Sequence, residues 1–180
     1  KVNKKFISRL LKRTKTLRLG YGTKNTTDVG PLINEEQRQK VLGYCKVGVE
    51  EGAKLLLGGN IYNKGKCRSG FFFEPTLFAE VSPKMRIAQE EIFGPVLSIL
   101  ECKSLERAVE IVNDSRFGLS SAIYTRDVNR AFKAIERLDT GITYINSSTI
   151  GAEVQLPFGG TKGTGNGHRE AGTTALEIFT

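Results

Sequence analysis

Residue types that often carry chemistry are scarce in this sequence. It has no tryptophan, one methionine, one histidine and three cysteines, and the cysteines lack the spacing of metal ligands, so no metal site is predicted. The odd number of cysteines (Cys45, Cys67 and Cys102) argues against a disulfide framework and favours a reducing, cytoplasmic setting. No apolar run approaches the roughly 18 residues that a membrane-spanning helix needs, so no span is predicted within this sequence.

Charged residues are abundant but unevenly placed. The 180 residues are 39% hydrophobic and 26% charged, as in an ordinary globular domain, and a single domain of this length buries roughly 70% of its unfolded surface. The net charge of +8 lies entirely in residues 1–18, which hold eight lysines or arginines and no acid. The rest of the sequence is neutral, so any role of the positive charge belongs to this first segment.

Residues 1–18 also have apolar residues near helical spacing, which predicts an amphipathic helix with a basic outer face. These apolar residues are Val2, Phe6, Ile7, Leu10, Leu11 and Leu17. One interpretation is binding to nucleic acid or to an acidic membrane surface, and a second is a transit peptide. The third is an ordinary helix whose apolar stripe packs on the domain. Leu19-Gly20 supplies the glycine that commonly ends globular helices, which favours the third and predicts neither a nucleic-acid nor a membrane partner.

The next residues predict a helix and two strands. Asn34 is expected to cap the helix, with Gln37 as its capping-box partner and Gly52 at the helix end. Residues 53–57 are predicted to form a short apolar strand. Residues 71–78 are predicted to form a second strand, interrupted at a proline.

From residue 95 onward, the sequence alternates between strands and helices. The predicted strands are 96–100, 121–124 and 142–145, and the predicted helices are 105–112 and 128–138. Short links between such elements are typical of right-handed parallel βαβ units, and continuous apolar strands are typical of a sheet covered on both faces. The predicted fold class is therefore α/β with parallel βαβ units.

The glycine-rich end of the sequence does not match a phosphate-binding loop. Residues 163–167 lack the preceding strand, the following helix and the distant acid of a dinucleotide fingerprint, and Lys162 lacks the context of a Walker lysine. The glycines are interpreted as conformational, in a long ordered loop before a short terminal helix. His168 has no partner for acid–base work, and Cys67, despite two basic neighbours, is interpreted as a buried or incidental thiol. No catalytic residue is predicted from these motifs.

Two short segments are more informative together than any motif above. Gln89-Glu-Glu-Ile-Phe-Gly-Pro-Val96 places two carboxylates and an aromatic before a strand, and Pro157-Phe-Gly-Gly-Thr-Lys162 follows in the glycine-rich end. In this order they resemble the C-terminal part of the catalytic domain of NAD(P)-dependent aldehyde dehydrogenases. Further segments similar to that family cover nearly the whole chain: Val29–Leu32, Glu51–Lys54 with Gly58-Gly59, Phe73–Thr76, Asn113 with Phe117–Leu119, Gly141 with Asn146, and Gly165–Gly172.

The resemblance implies a role for the first segment in cofactor binding. Glu91 is expected to accept hydrogen bonds from the nicotinamide-ribose hydroxyls of NAD or NADP, and Phe93 is expected to lie against the nicotinamide ring. A carboxylate can accept two hydroxyl hydrogen bonds at once, and an aromatic wall restricts the ring without competing for its reactive carbon. From the residues alone, Glu90 and Glu91 are better explained as a solvated pair that caps a turn, and it is the resemblance that reverses this interpretation.

The resemblance also implies a role in substrate binding for the end of the chain. A glycine-rich substrate-entrance loop is expected within residues 146–172, in which Ile150 and Phe158 contact the aldehyde. Residues 149–154 and 166–170 are most similar to the semialdehyde-oxidising branches, such as 2-oxoglutarate semialdehyde dehydrogenases.

The groups that perform the bond chemistry of this family are expected outside the sequence. In the family, a cysteine thiolate attacks the aldehyde, hydride passes to the cofactor, and a glutamate-activated water hydrolyses the thioester. The Gly-Gln-X-Cys segment of the nucleophile is expected before Lys1, with the general-base glutamate and the cofactor-binding Rossmann domain further upstream, and the last oligomerisation strand is expected after Thr180. The chain is therefore expected to be incomplete, inactive alone and without tight cofactor binding, and to form a homo-oligomer when complete.

A second class of function stays open. The chain is alternatively a non-catalytic subunit or interaction module that completes a split enzyme with a separate N-terminal chain. A neighbouring reading frame with the Gly-Gln-X-Cys segment would favour that alternative.

Overall fold

The computed structural model describes residues 3–179 of the chain. These residues form two compact units, of which the first ends at Glu101 and the second begins at Cys102. Both units combine helices with strands, so the predicted α/β class is confirmed. No helix within the described range is both long enough and apolar enough to cross a lipid bilayer.

The first unit is built around a three-stranded sheet. Its elements are α1 (Asn3–Thr14), α2 (Glu35–Glu50), β1 (Lys54–Leu57), a 3₁₀ turn (Gly65–Ser69), β2 (Thr76–Ala79), α3 (Arg86–Gln89) and β3 (Val96–Ser98). The strand order is β1-β2-β3, with β1 antiparallel and β3 parallel to β2. Thr76 pairs with Val96, so the chain segment that enters β3 lies beside the start of β2.

The middle strand β2 is buried along its whole length and contributes to the core of the first unit. Phe78 of this strand packs in one cluster with Phe73 and with Val41 and Cys45 of α2. Val41 and Cys45 are four positions apart, so they lie on the same face of their helix. Ile92, from the segment between α3 and β3, belongs to the same cluster, which ties that segment to the core.

Helix α2 begins where the sequence predicts. The side-chain oxygen of Asn34 accepts a 2.8 Å hydrogen bond from the Gln37 amide, and Gly52 has a φ of +94° just beyond the helix end. The second half of the predicted capping box is wrong, because the Asn34 amide makes no bond to the Gln37 side chain, whose Nε2 donates to the carbonyls of Ile92 and Phe93. A tertiary contact thus takes the side chain that sequence reasoning assigned to the helix N-terminus.

Helix α1 ends at Thr14, earlier than the predicted stop at Leu19-Gly20. Leu19 forms an isolated bridge with Val29, and the Gly20 amide donates to the Val29 carbonyl at 3.1 Å. This pairing commits the chain to an extended conformation, so the helix ends upstream of it. In the predicted apolar stripe, Phe6 is half exposed, Ile7, Leu10, Leu11 and Leu17 are partly buried, and Val2 lies outside the described residues.

The predicted strand at residues 71–78 is only partly correct. Strand β2 begins after Pro75, and upstream of it Phe73 makes an isolated bridge with Ile61. Proline has no amide hydrogen and interrupts a ladder, which agrees with the break. The Thr76 hydroxyl donates to the Glu74 carbonyl at 2.7 Å, a local bond that stabilises the bend.

The second unit contains a parallel βαβ arrangement. Its elements are α4 (Leu105–Asn113), β4 (Phe117–Gly118), β5 (Ser120–Ile123), α5 (Val128–Arg137), β6 (Ile142–Ile145), β7 (Thr161–Lys162), a 3₁₀ turn (Thr173–Ala175) and α6 (Leu176–Phe179). Strands β5 and β6 pair in parallel with α5 between them, and β4 pairs with β7 in an antiparallel manner. The second of the two predicted βαβ repeats is therefore confirmed, whereas β3, the first strand of the other repeat, pairs with β2 in the first unit.

The sheet formed by β5 and β6 is less covered than the sequence predicts. Strand β6 is only partly buried, and its last residue, Ile145, is 40% exposed. On α5, Ala131 and Ala134 are buried, whereas the larger apolar residues Val128 and Phe132 are exposed. Small residues therefore make the buried face of α5 in the described part of the chain.

Candidate functional site

The segment between α3 and β3 carries both residues that are predicted to contact the cofactor. The Glu90 amide donates to the Arg86 carbonyl at 2.8 Å and so ends α3. At the other end, the Pro95 carbonyl accepts a 2.8 Å hydrogen bond from the Thr76 amide at the start of β2. Residues 90–95, which we call the acidic turn, are therefore fixed at both ends.

Burial changes from residue to residue along the acidic turn. Ile92 is 9% exposed and packs in the core, whereas Phe93 is 72% exposed and Glu91 is also exposed. Phe93 has a φ of +54°, in the left-handed region that costs a residue with a Cβ atom roughly 1–2 kcal/mol. Gly94 lies so close to α2 that a Cβ atom would be 2.5 Å from Cγ2 of Val41. The turn thus presents Glu91 and Phe93 to solvent while Ile92 and Gly94 pack inward.

A side chain from α2 contacts the backbone of the acidic turn. Nε2 of Gln37 donates to the carbonyl oxygen of Ile92 at 2.9 Å and to that of Phe93 at 3.0 Å. A side-chain amide has two hydrogens on this nitrogen, so one group can serve both acceptors. Two consecutive peptide groups are therefore held by one glutamine.

The two carboxylates of the acidic turn have different surroundings. Arg86 binds both oxygens of Glu90, at 2.8 and 2.9 Å, and the Tyr44 hydroxyl donates to the same carboxylate at 2.8 Å. The hydrogen bond to Glu90, together with burial, raises the pKa of Tyr44, and the hydrogen bonds and charge of Glu90 raise the pKa of Arg86. Glu91 makes no hydrogen bond or ion pair with other residues in the range 3–179. The solvated-pair interpretation therefore fails for Glu90, and Glu91 is the carboxylate available to a ligand.

Side-chain hydrogen bonds hold the start of the glycine-rich loop, residues 146–172. Asn146 has a φ of +54°, and its side chain exchanges two 2.9 Å hydrogen bonds with the backbone amide and carbonyl of Thr125. The Tyr144 hydroxyl donates to the carbonyl of Gly151. These bonds hold the loop at Asn146 and at Gly151, close to the end of β6.

A short ladder holds the later part of the glycine-rich loop. The amide and carbonyl of Phe158 pair with those of Glu170 at 2.6 and 2.7 Å, and the Arg169 guanidinium donates to the Gly159 carbonyl. A Cβ atom on Gly141 would overlap the Gly159 carbonyl, so the close approach of the two backbones requires glycine there. These contacts agree with the prediction of a long ordered loop.

Ile150 and Phe158, which are predicted to contact the aldehyde, line different cavities of the second unit. Ile150 is 86% exposed and lines a cavity of about 440 Å³ together with Tyr144 and Glu153. Phe158 is partly buried and lines a cavity of about 430 Å³ together with His168. The structure therefore does not bring these two predicted contacts into one cavity of this unit.

The cysteines have no arrangement that suggests catalysis. Cys45 and Cys67 are buried, which for Cys67 agrees with its interpretation as a buried or incidental thiol, and Cys102 is exposed. Burial raises the pKa of the Cys45 thiol to about 11, which keeps it protonated and unreactive at neutral pH. Within the described residues, no group of His, Cys, Asp and Glu side chains is arranged to hold a metal ion.

Sequence reasoning missed three residues that support the candidate site. Gln37 is predicted as part of a helix cap, and no role is predicted for Tyr44 or Arg169. Gln37 and Tyr44 bind residues far along the chain, and short-range spacing carries no signal for such contacts. The available signal was the hydroxyl group of Tyr44 on a face of α2 that is otherwise apolar.

The aldehyde dehydrogenase family profile matches residues 1–180. The alpha-ketoglutaric semialdehyde dehydrogenase of Bacillus subtilis (strain 168) is 39% identical over 179 residues, and a betaine aldehyde dehydrogenase of Mesorhizobium japonicum is 40% identical over 178 residues. Each match covers 99% of this chain but 37% and 36%, respectively, of the relative. The chain thus spans about a third of the length of these relatives.

Solved structures also match nearly the whole of this chain and about a third of their own length. The betaine aldehyde dehydrogenase of Staphylococcus aureus in complex with NAD+ matches with a TM-score of 0.95 at 35% identity, over 99% of this chain and 35% of that chain. The HpcC protein of Thermus thermophilus matches with a TM-score of 0.93 at 38% identity, over 99% of this chain and 35% of that chain.

Proposed function

This chain belongs to the aldehyde dehydrogenase family, and we propose that it is the C-terminal part of the catalytic domain of an enzyme that oxidises an aldehyde or semialdehyde to the carboxylate with NAD or NADP. In this proposal, the chain supplies the contact to the nicotinamide ribose and part of the aldehyde pocket. The nucleophilic cysteine and the general-base glutamate belong to residues outside this segment, so these residues alone are inactive.

The proposal rests on the exposure of Glu91 and Phe93 at a turn whose other residues are fixed. An exposed carboxylate without a protein partner has both oxygens free to accept the two ribose hydroxyls. The exposed ring of Phe93 offers a flat apolar surface for the nicotinamide. When bound, NAD(P)+ accepts the hydride of the aldehyde. Glu91 and Phe93 hold the reactive end of the cofactor in place, which lowers the entropic cost of reaction.

For the substrate, we propose a semialdehyde that contacts Ile150 and Phe158 of the glycine-rich loop. The similarity of residues 149–154 and 166–170 to the semialdehyde-oxidising branches supports this choice. Because these two side chains line separate cavities of the second unit, they contact different parts of the substrate or its entrance. The complete enzyme is proposed to be a cytoplasmic homo-oligomer that acts on neither nucleic acid nor membrane.

Reconstitution tests whether this chain needs residues outside it, such as the nucleophilic cysteine, for activity. The purified chain with NAD+, NADP+ and a panel of aldehydes is expected to form no NAD(P)H. A chimera in which the chain replaces the matching segment of the Bacillus subtilis relative, which is 39% identical to it, is expected to recover turnover. Turnover by the chain alone would overturn the proposed inactivity, and a folded but inactive chimera would argue against the proposed catalytic role.

The cofactor contact is tested by substitution within that chimera. Glu91→Gln is expected to raise the KM for NAD+ by about ten-fold or more, because hydrogen bonds to a charged acceptor are lost. Phe93→Ala is expected to raise it as well, with little change in the KM for aldehyde. Glu36→Gln is the matched control, because Glu36 is another exposed carboxylate of the first unit, in the first turn of α2. It should leave the KM for NAD+ and the KM for aldehyde unchanged. An unchanged KM for NAD+ in Glu91→Gln would refute the ribose contact.

A further inference from the structure

We infer that Gln37 is a positioning residue for the cofactor contact, because its side-chain amide fixes the backbone conformation that exposes Phe93. The inference rests on the proposed function of Glu91 and Phe93. It adds a residue on a different element, α2, whose effect on the cofactor is exerted through the backbone of the acidic turn.

The first argument is geometric. Nε2 of Gln37 lies 2.9 Å from the carbonyl oxygen of Ile92 and 3.0 Å from that of Phe93. These two carbonyls belong to the peptide groups on either side of the Phe93 Cα atom. One donor that binds both groups restricts their relative orientation, and this orientation is the φ/ψ pair of Phe93.

The second argument concerns the conformation that is held. The φ of Phe93 is +54°, a value that an aromatic residue adopts only when its surroundings impose it. At this φ, Phe93 is 72% exposed directly after Ile92, which is 9% exposed. A relaxation of Phe93 to an extended backbone would redirect its ring and move Glu91. The exposure of both predicted cofactor contacts thus depends on the strained residue.

The third argument is the firm attachment of Gln37 itself. Its backbone amide donates to Oδ1 of Asn34 at 2.8 Å, so it lies in the capped first turn of α2. Its side chain is partly buried, and the neighbouring contact of Gly94 with Val41 leaves little room for the turn to shift along the helix. Asparagine at this position would be one methylene group too short to keep both hydrogen bonds.

The first experiment measures the acidic turn in this chain without cofactor. Hydrogen–deuterium exchange of residues 90–96 is compared between Gln37→Leu and Gln39→Leu. The control is matched because Gln39 lies on the same helix and, among residues 3–179, its side chain binds only Glu35, at 2.6 Å. Exchange is expected to be several-fold faster in Gln37→Leu and unchanged in Gln39→Leu. Equal exchange in the two variants would overturn the inference.

A second variant separates hydrogen bonding from packing. Gln37→Glu keeps the size of the side chain, but an ionised carboxyl donates no hydrogen bond, so exchange at neutral pH is expected to match Gln37→Leu. Towards about pH 4 the introduced carboxyl gains a proton and one donor, so protection relative to Gln37→Leu at the same pH is expected to recover in part. Protection equal to the unmodified chain at neutral pH would show that the donors are irrelevant and would overturn the inference.

The link to the cofactor is measured in the chimera with the Bacillus subtilis relative. Gln37→Leu is expected to raise the KM for NAD+ by about ten-fold, as for the loss of two neutral hydrogen bonds, without changing the KM for aldehyde. If Glu91→Gln raises this KM and Gln37→Leu does not, the inference is wrong while the proposed function stands. If neither variant raises it, the proposed function fails, and the inference fails with it.

Discussion

Tyr44 on α2 donates a 2.8 Å hydrogen bond to Glu90, the residue directly before the proposed ribose contact. Arg86 binds both oxygens of the same carboxylate, and its guanidinium lies 5.5 Å from the centre of the Tyr44 ring. The Glu90 carboxylate is therefore bound by side chains of two helices, whereas Glu91 has no polar partner within the described residues. Of these adjacent carboxylates, Glu90 holds the acidic turn in place, and Glu91 is available to a ligand.

This division predicts that the same substitution lowers stability at Glu90 but not at Glu91. Glu90→Gln removes the charge that Arg86 binds and is expected to lower the urea midpoint of unfolding by a modest amount, because Arg86 is half exposed to solvent. Glu91→Gln is expected to leave the midpoint unchanged. Equal midpoints for the two variants, measured by circular dichroism, would contradict this assignment.

The packing of Gly94 against Val41 predicts a steric coupling. A Cβ atom at residue 94 would lie 2.5 Å from Cγ2 of Val41, so Gly94→Ala is expected to lower the free energy of unfolding by about 1–3 kcal/mol. Val41→Ala removes the obstructing atoms but leaves a cavity, and is expected to cost about 2 kcal/mol alone. The double variant should cost less than the sum of the single variants.

The control for the Gly94→Ala and Val41→Ala variants is Gly43, which lies on α2 together with Val41. A Cβ atom on Gly43 would meet no atom within 4 Å, so Gly43→Ala is expected to be neutral or to stabilise by up to about 1 kcal/mol. Strict additivity of Gly94→Ala and Val41→Ala in urea denaturation would show that the two residues do not compete for space.

Burial of Cys45 predicts a loss of stability at high pH. Its folded-state pKa is raised from about 9 to about 11 by burial. As the pH rises above the ordinary value, the unfolded thiol loses its proton before the folded one, so the unfolded state binds fewer protons and stability falls. We expect the loss to amount to about 1–2 kcal/mol by pH 11.

The contribution of this thiol is isolated by substitution, because other groups titrate in the same range. Cys45→Ala is expected to remove that part of the decline in the free energy of unfolding between about pH 9 and pH 11. Cys102→Ala is the control, since Cys102 is exposed, and it should keep the full decline. Identical pH profiles for the two variants would exclude Cys45 as a cause.

Local sequence signals predicted the elements that depend on neighbouring residues. Asn34 caps α2 as expected, and the repeat from β5 through α5 to β6 follows from its alternating pattern. The end of α1 was predicted wrongly because Leu19 pairs with Val29, and local spacing does not show that competition. Short-range patterns thus located elements well and their ends less well.

The candidate site was likewise predictable only in part from the sequence. The resemblance pointed to Glu91 and Phe93, and both are exposed, but the residue type alone does not reveal that Phe93 has a φ of +54°. Gln37 supports that conformation by binding the carbonyls of Ile92 and Phe93, 55 and 56 positions away in sequence, whereas its spacing to Asn34 suggested only a helix cap. The contact between α2 and the acidic turn is a property of the folded chain, because it requires both elements to be placed first.

Asn146 provides a test of the start of the glycine-rich loop. Its side chain makes two 2.9 Å hydrogen bonds with the Thr125 backbone, and its φ is +54°. Asn146→Ala loses both bonds and strains the backbone, so it is expected to lower the free energy of unfolding by about 1–2 kcal/mol. Asn146→Gly loses the bonds but tolerates the conformation, so it is expected to cost about half as much.

The same variants distinguish loop order from overall stability. Hydrogen exchange of residues 146–158 is expected to accelerate in both Asn146→Ala and Asn146→Gly, because the attachment to Thr125 is lost in each. Ser148→Ala, an exposed position in the same loop, should change neither exchange nor stability. If Asn146→Gly were as stable and as protected as the unmodified chain, the side-chain bonds would be irrelevant, and the positive φ alone would explain asparagine at this position.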